Sequence, residues 1–315
     1  MTNEAAPRTL TTLPAFLGAL VGVGVGIVYG LLGFFVVRVL ETPRMGGIMF
    51  LLLPLVIGAT IAMVTPRPIA GISILAGALA LAICLISLVS IHAEGILCAL
   101  LAFPLVFLSL LLGVGIGLLL RSFVREMRSI STNYLVFLAM PVLVLGGEGL
   151  QRRAFPQPRI QTIATSIRLQ ATPDQVWSNI QSLDSLSGEK PFLMHVGLPI
   201  PQKCVLQGKA VGSKRTCYFD QGSIEETILA WDPPRRMLLS IDRTNMPGRH
   251  WLEFEGAEYD LRAEGDGTIV TRTTTIRSNL SPAWYWGRLE SWGVESEHEY
   301  LFRDLALRFA AKPKE

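Results

Sequence analysis

The chain has 315 residues, 50% of them hydrophobic and only 17% charged, against about 25% charged in an ordinary soluble protein, and its mean hydropathy is +0.43. This composition excludes intrinsic disorder and collagen and argues against a purely soluble protein. The net charge of +3 gives no footprint for a nucleic-acid partner, and four cysteines are too few for a disulfide scaffold.

Charge divides the chain. Residues 1–150 hold 7 Arg, no Lys and 5 acidic residues, whereas residues 151–315 hold 21 basic and 20 acidic residues. One half is composed for lipid and the other for water, so the expected organisation is a membrane domain over 1–150, a linker over 151–159 and a water-soluble domain over 160–315.

Five apolar stretches approach the roughly 20 residues that a spanning helix needs: 13–37, 48–64, 69–90, 96–120 and 133–147. The first is too long for the apolar core of a cleaved signal peptide, and four more follow it. It carries Gly18, Gly22, Gly26 and Gly30 at intervals of four, a seam that lets another helix approach closely. Two readings of that seam stand: a homodimer interface, or packing against a neighbouring helix of the same chain. Pro54, Pro104 and Pro141 fall within the stretches and mark possible kinks. No charge lies deep in them, so no ion or proton pathway is expected. His92 and Glu94 sit in a turn between two stretches, an ordinary place for charge, while Cys84 and Cys98 have apolar surroundings and read as core. Counting Lys and Arg in the short loops gives five on each side. The dense run Arg121, Arg125, Arg128 favours a cytoplasmic N-terminus, and with five spans this puts the C-terminal domain outside the cytoplasm.

Gln151 to Arg159 is polar, with Pro156 and Pro158, and reads as a short stiff linker. Ile163, Thr165, Ile167 and Leu169 then alternate with polar or small residues, predicting a strand with one buried face. Thr172-Pro-Asp-Gln175 has the cap, Pro and Gln of a helix start, and Val176, Trp177 and Ile180 give that helix an apolar face. Strand patterns follow over 205–219, 224–231, 236–243, 251–263 and 268–277, separated by turn sequences at 220–223, 232–234, 245–248 and 265–267. A helical pattern fills 283–311. Strands grouped together with segregated helices predict an α+β fold.

Ala171-Thr-Pro-Asp-Gln-Val-Trp177, Gly222-Ser-Ile-Glu-Glu226 and Trp231-Asp-Pro-Pro-Arg-Arg-Met-Leu238, ahead of a long terminal helix, occur in an order that resembles the START-like, or polyketide cyclase/dehydrase (SRPBCC), superfamily. The resemblance covers about 160–311. It implies a helix grip, in which a curved antiparallel sheet wraps a long C-terminal helix around a cavity. It also implies an apolar ligand such as a lipid, sterol or polyketide; some members are enzymes and many only bind or carry. The apolar N-terminal half departs from the usual soluble pattern and points to a membrane-anchored branch. The expected fold class is therefore an α-helical multi-span membrane domain plus an α+β helix-grip domain.

A four-residue loop over 220–223 pairs Phe219 with Ile224, Cys217 with Glu226 and Arg215 with Ile228. One face then carries Arg215, Cys217, Phe219, Ile224, Glu226, Ile228 and Ala230, with Arg215 and Glu226 on a diagonal. If that face looks inward, the two charges form a buried pair. Arg215 then reads either as an anchor whose fork takes a ligand carboxylate or phosphate, or as half of a structural salt bridge. On the last helix His298, Leu301, Phe302, Leu305 and Phe309 form an inward stripe, with His298 placed to line the cavity beside Glu226. The expected ligand-binding set is Arg215, Cys217, Phe219, Glu226, Ile228, His298, Phe302 and Leu305; Glu226 and His298 are the candidates for acid–base chemistry if the domain is an enzyme.

Glu295-x-x-His298 is half of a carboxylate metal motif without a second copy, so no metal is expected. The sequence holds no nucleophile elbow, zinc helix motif or P-loop, and no cofactor is expected. Residues 192–201, with Gly197, Pro199 and Pro201, read as a shaped loop at the cavity mouth, and His195 within it as a surface residue. Trp284, Trp286 and Trp292 crowd the start of the last helix, to gate the cavity, to enter a membrane interface or simply to pack. The functional reading is a membrane-anchored binder of an apolar, lipid-like ligand, serving as carrier or sensor. The alternatives are a cyclase, dehydratase or hydrolase, and a partner-binding sensory module.

Overall fold

The computed structural model describes residues 13–39, 46–64, 70–90, 95–123, 146–147, 158–246 and 251–310. The expected span at 133–147 lies almost wholly outside them. So do His92, Glu94, Pro141, most of the 151–159 linker and the end of the 245–248 turn. The chain divides into two compact units, one of Met1–Glu94 with Ala99–Pro156 and one of Gly95–Cys98 with Gln157–Glu315.

The N-terminal unit is helical. Helices α1 (Leu13–Val39), α2 (Leu53–Val64), α3 (Ala70–Ser90) and α4 (Ile96–Phe123) fall on the first four apolar stretches. A π-helical turn, Ile48–Leu52, leads directly into α2; Pro54 follows it and has no N–H to give to the preceding turn. Among the described residues, two helices are long and apolar enough to cross a membrane, Gly71–Ser90 and Ile96–Ser122. Their outer faces fit that reading, since Leu75, Ile86, Leu108 and Leu119 are each more than 60% exposed, an arrangement that water disfavours.

Small residues set the helix spacing. A Cβ on Gly26 would stand 2.8 Å from Ala80 Cβ, and one on Gly30 would stand 2.7 Å from Cys84 Sγ. At these two positions the seam of α1 is covered by α3 of the same chain, so the intrachain reading holds there and the backbones meet because no side chain intervenes. A second contact of this kind was not read from the sequence: side chains at Gly113 and Gly117 of α4 would overlap the Leu55 and Ala59 carbonyls of α2. Ser109 Oγ donates to the Leu51 carbonyl, and Arg121 Nη1 donates to the Ala62 and Met63 carbonyls at 3.3 and 3.2 Å. Arg121 thus satisfies carbonyls that the end of α2 leaves free.

The C-terminal unit begins with β1 (Arg159–Leu169), α5 (Pro173–Ile180) and the single helical turn α6 (Phe192–His195). Strands β2 (Pro201–Leu206), β3 (Lys214–Phe219), β4 (Gly222–Asp232), β5 (Arg236–Thr244), β6 (Leu252–Glu264) and β7 (Gly267–Ser278) follow, and α7 (Ala283–Ala310) ends the unit. The sheet is antiparallel in the order β1-β7-β6-β5-β4-β3-β2, so the first strand closes on the last while the rest form a meander. Bulges between Glu225 and Glu226, Ile228 and Ala230, and Phe254 and Gly256 bend it around α7. Thr172 accepts from the Gln175 N–H, and Gln175 Oε1 accepts from the Thr172 N–H at 3.0 Å, the capping box expected for α5.

Two expectations change. The segment 205–219 is not one strand: residues 207–213 form a loop, with Gly212 at φ 86°, a left-handed conformation that glycine adopts without penalty. The β3–β4 turn is also tighter than four residues. Phe219 pairs with Gly222, leaving Asp220 and Gln221 as the loop, and the register moves by two. Because side chains alternate with period two, that shift keeps the expected inward face and changes only the partners. Arg215 lies directly opposite Glu226, and Cys217 opposite Ile224. Residues 192–201, expected as a loop, contain the turn α6.

The main core joins Trp177 and Ile180 of α5, Ile228, Met237 and Leu239 of the sheet, and Phe302 and Leu305 of α7. A smaller cluster holds Leu183, Cys204, Cys217 and Leu301. The three tryptophans part company: Trp286 is 4% exposed and its Nε1 donates to the Ser281 carbonyl at 3.1 Å, while Trp284 and Trp292 stay at the surface. Trp292 stacks on exposed Phe192, with ring centroids 6.3 Å apart.

Candidate ligand-binding site

Between the concave face of the sheet and α7 lies a set of charges that the fold removes from water. Arg215 is 2% exposed and Glu226 4%. Arg215 Nη1 donates to Glu226 Oε2 at 2.7 Å, and Nη2 donates to the Ile180 carbonyl, at the last turn of α5, at 3.5 Å. Burial opposes the Arg215 charge most strongly, but the Glu226 carboxylate, by its charge and its hydrogen bond, together with Tyr259 outweighs it and holds the guanidinium pKa above its ordinary value.

A second pair completes the cluster and was not read from the sequence. Arg272 Nη2 stands 3.0 Å from Glu297 Oε2, and the Arg272 guanidinium lies over the Tyr259 ring, 5.2 Å from its centroid. Tyr259 is the cross-strand partner of Arg272, so the stack follows from register. Burial pushes the Glu297 carboxyl above its usual range, with Arg272 acting in the opposite direction. The pairs feel each other: Arg215 senses Arg272, and Glu297 senses Glu226 and Arg215. The signal for them was present in the sequence. Arg272 is in phase with Val270, Thr274 and Ile276 on β7, and Glu290, Glu297 and Asp304 recur every seven residues on α7. All three acids find partners: Glu290 holds Arg159 and Ser278, Glu297 holds Arg272, and Asp304 accepts from the Ser187 N–H at 2.8 Å.

His298 is fully buried, but its hydrogen bonds do not go to Glu226. Nε2 shares a hydrogen bond with Thr274 Oγ1 at 2.8 Å and Nδ1 with Thr165 Oγ1 at 3.0 Å. Burial, helped by the Arg272 charge, pushes its pKa down to about 2. The expected pairing of His298 with Glu226 is therefore replaced by two threonines on β1 and β7, and the ring is neutral at physiological pH.

The other expected residues are placed as follows. Ile228, Phe302 and Leu305 belong to the main core. Phe219 is partly buried against the smaller cluster. Cys217 forms a disulfide with Cys204 across the β2–β3 pair, and its Sγ lies 3.8 Å from Glu226 Oε2. A cleft of about 580 Å³ opens elsewhere on this unit, lined by residues including Asp184, Lys190, Lys203, Asp220 and Tyr300; none of the expected ligand-binding residues lines it.

A curled antiparallel sheet gripping a long terminal helix defines the helix-grip class. Residues 161–309 match the family model described as polyketide cyclase / dehydrase and lipid transport. The C-terminal domain is a START-like domain of this polyketide cyclase/dehydrase family. Among solved structures, a Nitrosospira multiformis protein is 20% identical, with a TM-score of 0.33, over 48% of this chain and 97% of its own. A START superfamily protein from Mycobacterium smegmatis is 10% identical, with a TM-score of 0.35, over 47% of this chain and 97% of its own. CalU16 from Micromonospora echinospora is 20% identical, with a TM-score of 0.31, over 50% of this chain and 83% of its own. No curated protein matches the chain.

Proposed function

We propose that the protein is a membrane-anchored binder of an apolar, lipid-like ligand, a carrier or sensor whose ligand enters the interior of the helix grip. The observation that carries this reading is the buried Arg215–Glu226 pair, with the part-buried Arg272–Glu297 pair beside it, within an apolar interior, in a domain whose family description includes lipid transport. An interior that only needed filling is at least as stable with apolar residues as with ion pairs. Charges kept there are suited to orienting the polar end of a molecule whose remainder is apolar. The apolar helices of the N-terminal unit support an anchor that holds the domain beside the bilayer, with several helices crossing. The Cys204–Cys217 disulfide supports an extracytoplasmic location for the domain, because such bonds persist in oxidising compartments. The arginine distribution of the N-terminal half leans the same way. An acid–base enzyme built on His298 has little support, since both ring nitrogens are engaged and the pKa is far from neutrality.

The test is native mass spectrometry of the full chain, purified in detergent and loaded from a membrane lipid extract. A reproducible adduct of one lipid class is expected. Bare protein from a folded sample overturns the reading.

A further inference from the structure

Three aromatic rings of the C-terminal unit stand in the open and take no part in its core. Trp284 is 72% exposed, Phe192 65% and Trp292 42%. Trp284, Arg288 and Trp292 recur every four residues on α7, so they share one side of that helix over about 12 Å. Phe192, at the start of α6, stacks on Trp292 with the ring planes 10° apart, and a second element thus widens the row. Between the two tryptophans the exposed charge is Arg288, whereas Glu290 is buried and held by Arg159 and Ser278. Clustered aromatic rings facing water mark a surface that meets something else.

The row begins where the chain enters the domain. Arg159, the first residue of β1, donates from Nη1 to the Ala283 carbonyl at 3.2 Å and pairs with Glu290. The strand that leads out of the linker therefore starts beside the residue preceding Trp284. The last apolar stretch of the N-terminal half ends at residue 147, which leaves 12 residues to Arg159 and a reach of about 40 Å when fully extended. A leash that short keeps this end of the domain near any bilayer in which the stretch is embedded, and a weak attraction then suffices to hold it there.

The chemistry of the row fits a bilayer interface. Tryptophan rings settle at headgroup level, where the ring is sheltered and the indole N–H still finds partners. A guanidinium between them meets lipid phosphates. Accepting the membrane anchor read above, on which this rests, we propose that the domain docks on the bilayer of its own anchor through Trp284, Arg288, Trp292 and Phe192, with this side of α7 lying along the headgroups.

All six tryptophans lie in residues 151–315, so the tryptophan emission of the full chain reports on this unit alone. The test places the full chain in nanodiscs of phosphatidylcholine and phosphatidylglycerol whose acyl chains are either plain or brominated next to the headgroup, because bromine quenches indole only at contact range. Brominated discs are expected to lower the emission by about a third, the share of two tryptophans in six. Trp284→Ser/Trp292→Ser, which alters only exposed rings, is expected to lose that quenching with an unchanged circular dichroism spectrum. Unquenched emission from the unaltered chain overturns the proposal; if the same rings are also shielded from aqueous iodide, a protein surface such as a second copy covers them instead. Quenching that survives in the double variant also overturns it, since another surface then meets the lipid. If the double variant does not fold, Arg288→Glu takes its place: quenching about twofold weaker is expected on these anionic discs, and unchanged quenching overturns the docking face. Alkaline carbonate extraction of cell membranes separates this from the anchor. A chain that stays in the pellet with unquenched tryptophans loses the docking face alone, and a chain released by carbonate loses the anchor and the docking face together.

Discussion

Arg215 and Glu226 were legible as occupants of one face because strand side chains alternate with period two; their direct opposition was not, because it depends on turn length, which a sequence with several turn-forming residues leaves open. Removing either partner strands a charge in the interior. Arg215→Met and Glu226→Gln are each expected to cost about 3–5 kcal/mol. The double variant Arg215→Met/Glu226→Leu should cost less than either single change, because no lone charge is left behind. Denaturant unfolding of the three variants checks this, and a strictly additive double variant contradicts the pairing. His298 makes a second residue-scale prediction. Its folded-state pKa is about 2, below the unfolded value near 6.5, so as pH falls below about 6.5 only the unfolded chain takes up the proton. Stability from this group is complete above that pH and falls by about 1.4 kcal/mol per pH unit on acidification. Unfolding curves between pH 6.5 and 4.5 should therefore be steeper in pH for the unaltered protein than for His298→Asn. Equal slopes would place the imidazole in contact with solvent.

At the scale of elements, helices were easier to read than their contacts. Four apolar stretches became α1 to α4 because hydropathy and length alone select a helix in an apolar run. Which helices touch is decided by where side chains are missing. Gly113 meets a carbonyl of α2, whereas nothing lies within 4 Å of a Cβ on Gly24. Gly113→Ala is expected to lower the thermal unfolding temperature of the detergent-solubilised protein by several degrees. Gly24→Ala should leave it unchanged or raise it slightly, since alanine is the better helix former. Equal behaviour of the two variants would show that α2 and α4 do not approach at Gly113. In the sheet, the loop at 207–213 was missed because apolar residues, Ala210 and Val211, stand between the two strands and link their patterns. Gly208 and Gly212 were the visible signal that the strand is interrupted. The capping box at Thr172 was read in full because all of its partners lie within four residues.

For the whole molecule, the disulfide ties the position of the domain to its chemistry. Cys204 and Cys217 sit on neighbouring strands near one edge of the sheet, beside the Arg215–Glu226 pair. If the domain lies outside the cytoplasm, both sulfurs should resist a thiol-alkylating reagent in freshly lysed, unreduced cells and react only after reduction and denaturation. Mass-shift labelling of the full chain checks this, and free thiols at both positions would contradict the extracytoplasmic placement. By itself the sequence determined the division between an apolar and a charged half, the positions of α1 to α5 and of α7, the order of most strands and the inward face of the β3–β4 hairpin. All of these depend on composition or on periodicity over a few residues. Only the tertiary structure decided that Arg272 and Glu297 join Arg215 and Glu226, that His298 turns to two threonines, and that Cys204 meets Cys217. The contacts of Glu297 and His298 join α7 to the sheet and require the sheet to curl around that helix before the partners share a space, while the disulfide requires β2 and β3 to pair in one particular register. A pattern along one dimension shows which face a side chain takes; what it faces is settled when the elements pack.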